Sequence, residues 1–359
     1  MPKTEIRKEM PGVALTREQF SQRMQERFTD PAFEDIRGAV EQVIEAAWQG
    51  YSHHRKAPHT QPAGAGFADP EYQLAIDWID ASRRIKEAER RQKDADAPPR
   101  ILLINGAARN EHTCPGESSK TWRLVTLARE VFEREQGFEL ELLDLSRLTS
   151  EYGRQIHPCK TCVSTAMPLC HWPCSCYPNA SLGQVHDWMN EIYPMWASAH
   201  GIMIVTPVNW YNPSSVLKLM IDRLVCADGG NPDPTSTQGK KPELAKKLEL
   251  DGWSYPRHLA GRAFSLVVHG DSTGARGVRL SLADWLTDMG LVEAGQMSQI
   301  DAYIGYMEPY ATSHDALDKD TALHEETRNA ARSLIQAVKN IRSGELKQPD
   351  QNLRDPRPK

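Results

Sequence analysis

The sequence lacks any apolar run long enough to cross a bilayer as a helix. Its first residues, MPKTEIRKEM, lack the apolar core of a secretory leader. Together these absences predict a cytoplasmic protein with no membrane partner. A large charge excess is missing too. A net charge of −5 over 359 residues argues against nucleic acid or an acidic membrane as the main partner. There is no internal repeat. A dinucleotide fingerprint is absent where one would be needed: the piece GAGFAD at 64–69 starts like one but follows a loop rather than a strand, and is rejected. What remains is ordinary globular composition, 40% hydrophobic and 25% charged, in a chain long enough for one extended domain or two.

Up to residue 99 the chain reads as a helical extension. Residues 1–10 read as loose. Phe20, Met24 and Phe28 mark a short helix over 16–28. Phe33, Ile36, Val40, Val43, Ile44, Ala47 and Trp48 mark a firmer one over 33–50. A Pro/Gly/His-rich loop follows, and Leu74, Trp78, Ile79 and Ile85 predict a third helix over 71–92. These apolar stripes need cover from the main domain or from a second subunit, so a homodimer or homotetramer is expected.

From Arg100 the pattern alternates. Strands are predicted at 101–104, 138–143, 202–205, 264–268 and within 291–303. Helices are predicted at 119–136, 181–199, 214–225, 278–289 and 321–341. In the second helix Val185, Trp188, Met189, Ile192 and Trp196 should face inward, and Pro194 should kink or end it. The stretch 227–261 is a polar insertion, and 344–359 a polar tail. The expected fold is α/β: a doubly wound, five-stranded parallel sheet over 100–343 with the helical extension 1–99. Ligands in such sheets bind beyond the carboxyl ends of the strands, so the loops after strands one, three and four should share one crevice.

Those loops are unusual. The first, in RILLINGAARNEHTCPGESSKTWRL, runs from an apolar strand through Asn105-Gly106 to a hydroxyl-rich helix start at Ser118-Ser119-Lys120-Thr121. Free N–H groups in a helix's first turn favour an anion, and hydroxyls and Lys120 add donors. An ordinary strand, loop and capped helix would read the same way, because Ser119 is a good N-cap in any case. The loop after strand three, TPVNWYNPSSVLKLMIDR, crowds Pro207, Trp210 and Tyr211 at a buried strand end, where they suit a flat ring or simply cover the sheet. Lys218 and Asp222 fit a helical i,i+4 pair. The loop after strand four, VVHGDSTGARG, allows close backbone approach at its glycines and read alone is a glycine-rich turn.

Taken together, NGAARN…SSKTWRL and TPVNWYNPSSVLKLMIDR resemble the two flavin loops of the NAD(P)H-dependent FMN reductases of the flavodoxin-like superfamily. The resemblance covers about 100–341. It implies FMN as cofactor, NAD(P)H as co-substrate, and a quinone, flavin or similar small molecule as acceptor. By matching position, Arg109, Ser119, Lys120 and Thr121 would hold the phosphate, with HTCPGES inserted beside them. Pro207, Val208, Asn209, Trp210 and Tyr211 would border the isoalloxazine ring. His269, Gly270, Asp271, Ser272 and Gly274 would approach its pyrimidine side. No side-chain acid or base is needed for hydride transfer, so no catalytic residue is assigned; Tyr211 and His269 either only line the pocket or assist an acceptor's protonation.

The seven cysteines are not spread evenly. Cys159, Cys162, Cys170, Cys174 and Cys176 fall in one loop, IHPCKTCVSTAMPLCHWPCSCYP, while Cys114 and Cys226 stand apart. In a reducing compartment such a cluster reads as metal or redox chemistry before structural disulfides. Thiolates suit an iron–sulfur cluster or zinc, but this spacing matches no known cage and leaves one thiol over, so no metal is expected; a cluster or zinc on these five cysteines stays an alternative, beside a redox dithiol and packing. The iron–sulfur flavoproteins of the same family resemble this chain in carrying a cysteine cluster in this loop. That gives the alternative function of an FMN/iron–sulfur electron-transfer protein with a protein partner; a flavin-free scaffold is the remaining one.

Overall fold

The structure is a computed structural model and describes residues 7, 8, 12 and 14–345. Most of the stretch expected to be loose at 1–10, and the tail from 346, lie outside the described residues. The chain divides into two compact units, one of 1–82, 160–187 and 231–253, the other of 83–159, 188–230 and 254–359.

The second unit is built on a parallel sheet. Its strands are Arg100–Asn105, Glu139–Asp144, Gly201–Asn209, Ala263–Gly270, and a fifth in two pieces, Val292–Glu293 and Gln299–Tyr303. The spatial order is second, first, third, fourth, fifth, and every one of these pairings is parallel. This is the order of a flavodoxin-like fold, and winding reverses between the first and third strands. Helices Lys120–Arg134, Met189–Ser198, Ser215–Arg223, Ala275–Asp288 and Thr321–Ser343 form the crossovers and cover. The central strands are buried along nearly their whole length, as strands covered on both faces must be. One side of the core joins Ile101, Leu103, Met203, Val205 and Val267 to Leu124, Ala128, Phe132, Leu334 and Val338. The last helix supplies an apolar stripe at helical spacing and is closed by Gly344 in the left-handed region.

The second crossover helix departs from expectation. It starts at Met189 rather than near residue 181, because Asn179 and Gln184 close a turn by exchanging backbone hydrogen bonds of 2.8 and 3.0 Å. Val185 lies before the helix and is exposed, whereas Trp188, Met189, Ile192 and Trp196 are buried. Pro194 sits inside the helix and does not end it. As its sixth residue, Pro194 forfeits only the bond to the carbonyl of Asn190.

The first unit carries helices Arg17–Gln25 and Arg37–Ser52 and the start of helix Ile76–Lys93. Thr16 opens the first of them through a reciprocal capping box with Gln19. Phe20, Trp48 and Tyr51 join the first two helices, with the Phe20 and Tyr51 ring centroids 4.8 Å apart. The His- and Pro-rich loop is partly strand: Arg55–Ala57 pairs with Arg7–Lys8, and Thr60–Pro62 with Gln73–Ala75. Part of the polar insertion belongs to this unit and contains helix Pro242–Leu250. The Trp78 indole donates to the Pro173 carbonyl (2.8 Å) and the buried Lys56 ammonium to the Ser175 carbonyl (2.7 Å), which ties down the cysteine loop.

Candidate active site

The first strand ends at Asn105, and the chain must turn at once beneath the third strand. Only glycine fits at 106. A Cβ there would lie 2.9 Å from the Cβ of Thr206 and 3.0 Å from Leu217. The loop that follows is pinned by Asp144 at the end of the second strand. Its carboxylate accepts from the Asn105 and Asn110 amides, both at 2.7 Å, and from the Ser146 hydroxyl. Asp144 was not among the residues singled out from sequence, where a strand-terminal Asp gives no distinguishing signal.

Helix Lys120–Arg134 then begins with Ser119 as N-cap. The Ser119 hydroxyl accepts from the Trp122 N–H (3.1 Å) and donates to the Arg109 carbonyl (3.2 Å). The N–H groups of Lys120 and Thr121 have no acceptor among the described residues and open the helix's positive end. Arg109 donates from Nη2 to the Glu117 carbonyl (2.8 Å), while its Nε is buried with no partner among the described residues. Lys120 Nζ lies 2.6 Å from the Asp271 carboxylate, and the Thr121 hydroxyl shares a 2.8 Å hydrogen bond with His269 Nε2. These two contacts tie the first loop to the loop after strand four. Burial, and after it the Lys120 ammonium, push the His269 pKa down to about 3 against the opposing pull of Asp271, so the ring is neutral at physiological pH.

The third strand continues past its expected end to Asn209 and folds back as a hairpin, with Val208 opposite Pro213 and Asn209 opposite Asn212. The two residues between are Trp210 and Tyr211, both in the left-handed region at φ 48° and 66°. That is a type I′ turn, which ordinarily takes Asn or Gly. The strained turn holds the Trp210 side chain in solvent at 93% exposure and that of Tyr211 at 67%. Neither ring is folded down over the sheet end. Ser214 then caps helix Ser215–Arg223, with its hydroxyl on the Leu217 N–H and on the Gly106 carbonyl. Lys218 and Asp222 form the i,i+4 ion pair.

The fourth strand delivers His269, buried, and Gly270, followed by Asp271, Ser272 and Thr273. Gly274 is the N-cap of helix Ala275–Asp288 at φ +89°. A Cβ there would meet Val208 at 3.1 Å and the Tyr211 backbone at 3.2 Å. Val208, Asn209, Trp210, Tyr211, Asp271, Ser272 and Thr273, with Tyr310, line an open cleft of about 580 Å³, within the usual range for a small-molecule or cofactor site. Tyr310 was missed from sequence because it follows the fifth strand and reaches the cleft only through the fold.

The cysteine loop is assembled separately. Cys162 Sγ is 3.5 Å from Cys176 Sγ, and Lys240 Nζ is 3.5 Å from Cys162 Sγ and bonded to the Leu169 carbonyl. Lys240, in the insertion, was not singled out from sequence. Cys159, Cys114 and Cys226 all fall in the other compact unit. Among the described residues, no three His, Cys, Asp or Glu side chains are grouped to hold a metal ion.

The fold and cleft define a doubly wound protein with an anion-receptive helix start and aromatic side chains at one end of its sheet. Residues 99–302 match the family model of the NADPH-dependent FMN reductases, and the chain belongs to that family. It is a NAD(P)H-dependent flavin oxidoreductase with FMN as its cofactor. Comparison with curated proteins finds none that matches. Among solved structures, the chain is similar to RosB with bound 8-demethyl-8-formylriboflavin-5'-phosphate, at 14% identity over 69% of this chain and 82% of that one, TM-score 0.47. It is similar to an oxidoreductase from Corynebacterium diphtheriae at 14% identity over 68% and 99%, TM-score 0.40. It is also similar to azoreductase AzrA at 11% identity over 65% and 99%, TM-score 0.41. Among the described residues, no helix is long and apolar enough to cross a membrane.

Proposed function

We propose that FMN lies in this cleft, with its phosphate at the start of helix Lys120–Arg134, and that the enzyme passes reducing equivalents from NAD(P)H to a quinone, flavin or similar small acceptor. The observation that carries this reading is the buried, unpartnered Nε of Arg109 on the loop leading into a helix start whose first N–H groups are open. A buried guanidinium N–H without an acceptor is costly, and a phosphate oxygen would satisfy it.

In this reading Arg109, Ser119, Lys120 and Thr121 hold the phosphate by different means. Lys120 and Thr121 present backbone N–H groups. The hydroxyls of Ser119 and Thr121 are already engaged and fix the turn and the neighbouring loop. Pro207, Val208, Asn209, Trp210 and Tyr211 border the ring. His269, Gly270, Asp271, Ser272 and Gly274 stand at its pyrimidine edge. FMN supplies the redox chemistry when bound. The exposed Trp210 and Tyr211 offer planar surfaces to a nicotinamide and then to an acceptor that takes its place. The neutral His269 keeps a second positive charge away from Lys120. The exposed Ile36 and Val43 of the N-terminal helices and the exposed Tyr303, Tyr306 and Met307 support a homodimer or homotetramer. Light scattering of the full chain tests that assembly.

FMN titration of the apoprotein, with Arg109→Gln alongside, tests the site. Stoichiometric binding that weakens in the variant is expected. Equal affinity in both would overturn the phosphate placement. Steady-state NADH and NADPH oxidation with a quinone, and separately with free FMN, sorts the acceptors.

A further inference from the structure

The flavin cleft makes no use of the cysteine cluster. Within the unit that holds it, two sulfurs 14 residues apart in one loop meet a lysine 78 residues beyond the first. Cys162 is half-buried in a 3-10 turn, Cys162–Ser164, and packs beside Ala166, Leu169 and Ala245. Cys176 is buried 3.5 Å away, sulfur to sulfur. That is van der Waals contact, from which a bond of about 2.05 Å needs only a small approach. Lys240 Nζ stands 3.5 Å from Cys162 Sγ and is held there by the Leu169 carbonyl. Lys56 fixes the loop behind Cys176 through the Ser175 carbonyl. Among the described residues Lys240 has no carboxylate partner; burial opposes its charge, and the sulfurs of Cys176, Cys162, Cys174 and Cys170 outweigh that and favour the charged form.

We propose that Cys162 and Cys176 are a redox-active dithiol that reduces a hydroperoxide, with Cys162 attacking, Cys176 resolving, and Lys240 positioned to hold Cys162 as a thiolate. Cys162 fits the first role because it is the more accessible thiol and lies next to a cation; Cys176 fits the second because it is buried against it. The charged and titratable groups facing Cys162 are Cys176, Lys240 and Cys174. A hydrogen bond from Cys176, and then the charge of Lys240 against the opposing effect of burial, bring the Cys162 thiol down to about 6. The thiolate attacks the terminal oxygen of ROOH. The O–O bond breaks, the alkoxide takes a proton to leave as ROH, and Cys162 becomes a sulfenic acid. The Cys176 sulfur then attacks the sulfenic sulfur, the S–O bond breaks, and water leaves with the Cys176 proton. The two thiols lose two electrons and two protons, and the hydroperoxide takes up both. A small-molecule thiol returns the pair to the dithiol.

The test uses the full-length, reduced protein and hydrogen peroxide as the probe. One equivalent should remove two titratable thiols, and non-reducing peptide mapping should recover a Cys162–Cys176 link. In Cys176→Ser the reaction should stop at a sulfenic acid on Cys162 that a dimedone trap captures. Lys240→Gln should slow the first step roughly tenfold at pH 7, and Lys240→Arg should restore most of it. In the unaltered protein, which removes any doubt about variant folding, the pH profile of Cys162 alkylation should turn over near 6 rather than in the ordinary thiol range. A link between other cysteines, a Lys240→Gln rate equal to the parent, or an alkylation profile in the ordinary range would overturn the proposal. So would near-stoichiometric iron or zinc in protein purified anaerobically, with these thiols blocked.

Discussion

Two lysines, at opposite ends of the chemistry in this chain, make an instructive pair. Lys120 at the start of helix Lys120–Arg134 meets the Asp271 carboxylate at 2.6 Å, and Lys240, beside the cysteine loop, meets the Cys162 sulfur at 3.5 Å. The first pair joins two side chains of opposite charge and ties one loop to another. A thiol is ordinarily neutral near pH 7, so the second lysine changes the state of its partner. Surroundings sharpen the contrast. The Asp271 side chain is 40% exposed and its pair is screened by water, while Lys240 sits among sulfurs with a main-chain carbonyl holding it. The same residue type therefore builds geometry in one region and reactivity in the other.

The largest expected effect is at Arg109. Arg109→Gln removes a charged guanidinium whose Nε is buried, and hydrogen bonds to charged groups are worth about 1.5–3 kcal/mol. FMN dissociation should rise by roughly ten- to hundredfold in a fluorescence titration. An unchanged constant would mean that the helix start is no phosphate site, and the contrast with the cysteine loop would lose one of its halves.

Thr121→Ala should cost about 1–3 kcal/mol of stability, because the buried His269 Nε2 loses its partner. Thr121→Ser should recover most of that loss. Paired denaturant melts of the two variants check it, and equal losses would show that the hydroxyl bond contributes little. Gly274→Ala is expected to cost about 1–2 kcal/mol, since φ +89° is strained for any Cβ and the added methyl would press on Val208 and Tyr211. A melt and an FMN titration on this variant separate damage to the fold from damage to the cleft.

Stability should also fall with acid in a defined window. Burial pushes His269 down to about 3, and burial with the Arg342 charge pushes His200 down to about 4. Both stay neutral in the folded chain where the unfolded chain, near 6.5, takes up protons. Their contribution is present above about pH 6.5 and is lost as pH falls toward 3–4. Chemical denaturation at stepped pH should show this slope, and His269→Gln should reduce it.

The smallest expected effect sharpens the opening contrast most directly. Asp271→Asn frees the Lys120 ammonium from a partly exposed pair worth about 0–1 kcal/mol. FMN affinity should rise a few-fold at low salt, and the gain should shrink as salt is added. A loss of affinity would mean that Asp271 matters as a tie between loops more than Lys120 matters as a free charge.

Sequence alone determined the alternation of apolar strands with amphipathic helices, the Gly106 turn, the Ser119 and Ser214 caps, and the three unusual loops. These are local features: period, capping and turn chemistry are written over a few neighbouring residues, and they fix where strands end and helices begin. Tertiary structure decided what those residues touch. TPVNWYNPSS contains no Asn-Gly to announce a tight hairpin, so the left-handed Trp210 and Tyr211 became visible only once strand three had paired back on itself. The Thr121 hydroxyl reads locally as a phosphate donor, and only the fold shows that it bonds His269, 148 residues away. Five cysteines in one loop read as a single set. The structure assigns Cys159 to the other compact unit and brings Lys240 to Cys162 from 78 residues further along the chain. Contacts at such separations depend on how whole elements pack, and no local pattern in the chain encodes them.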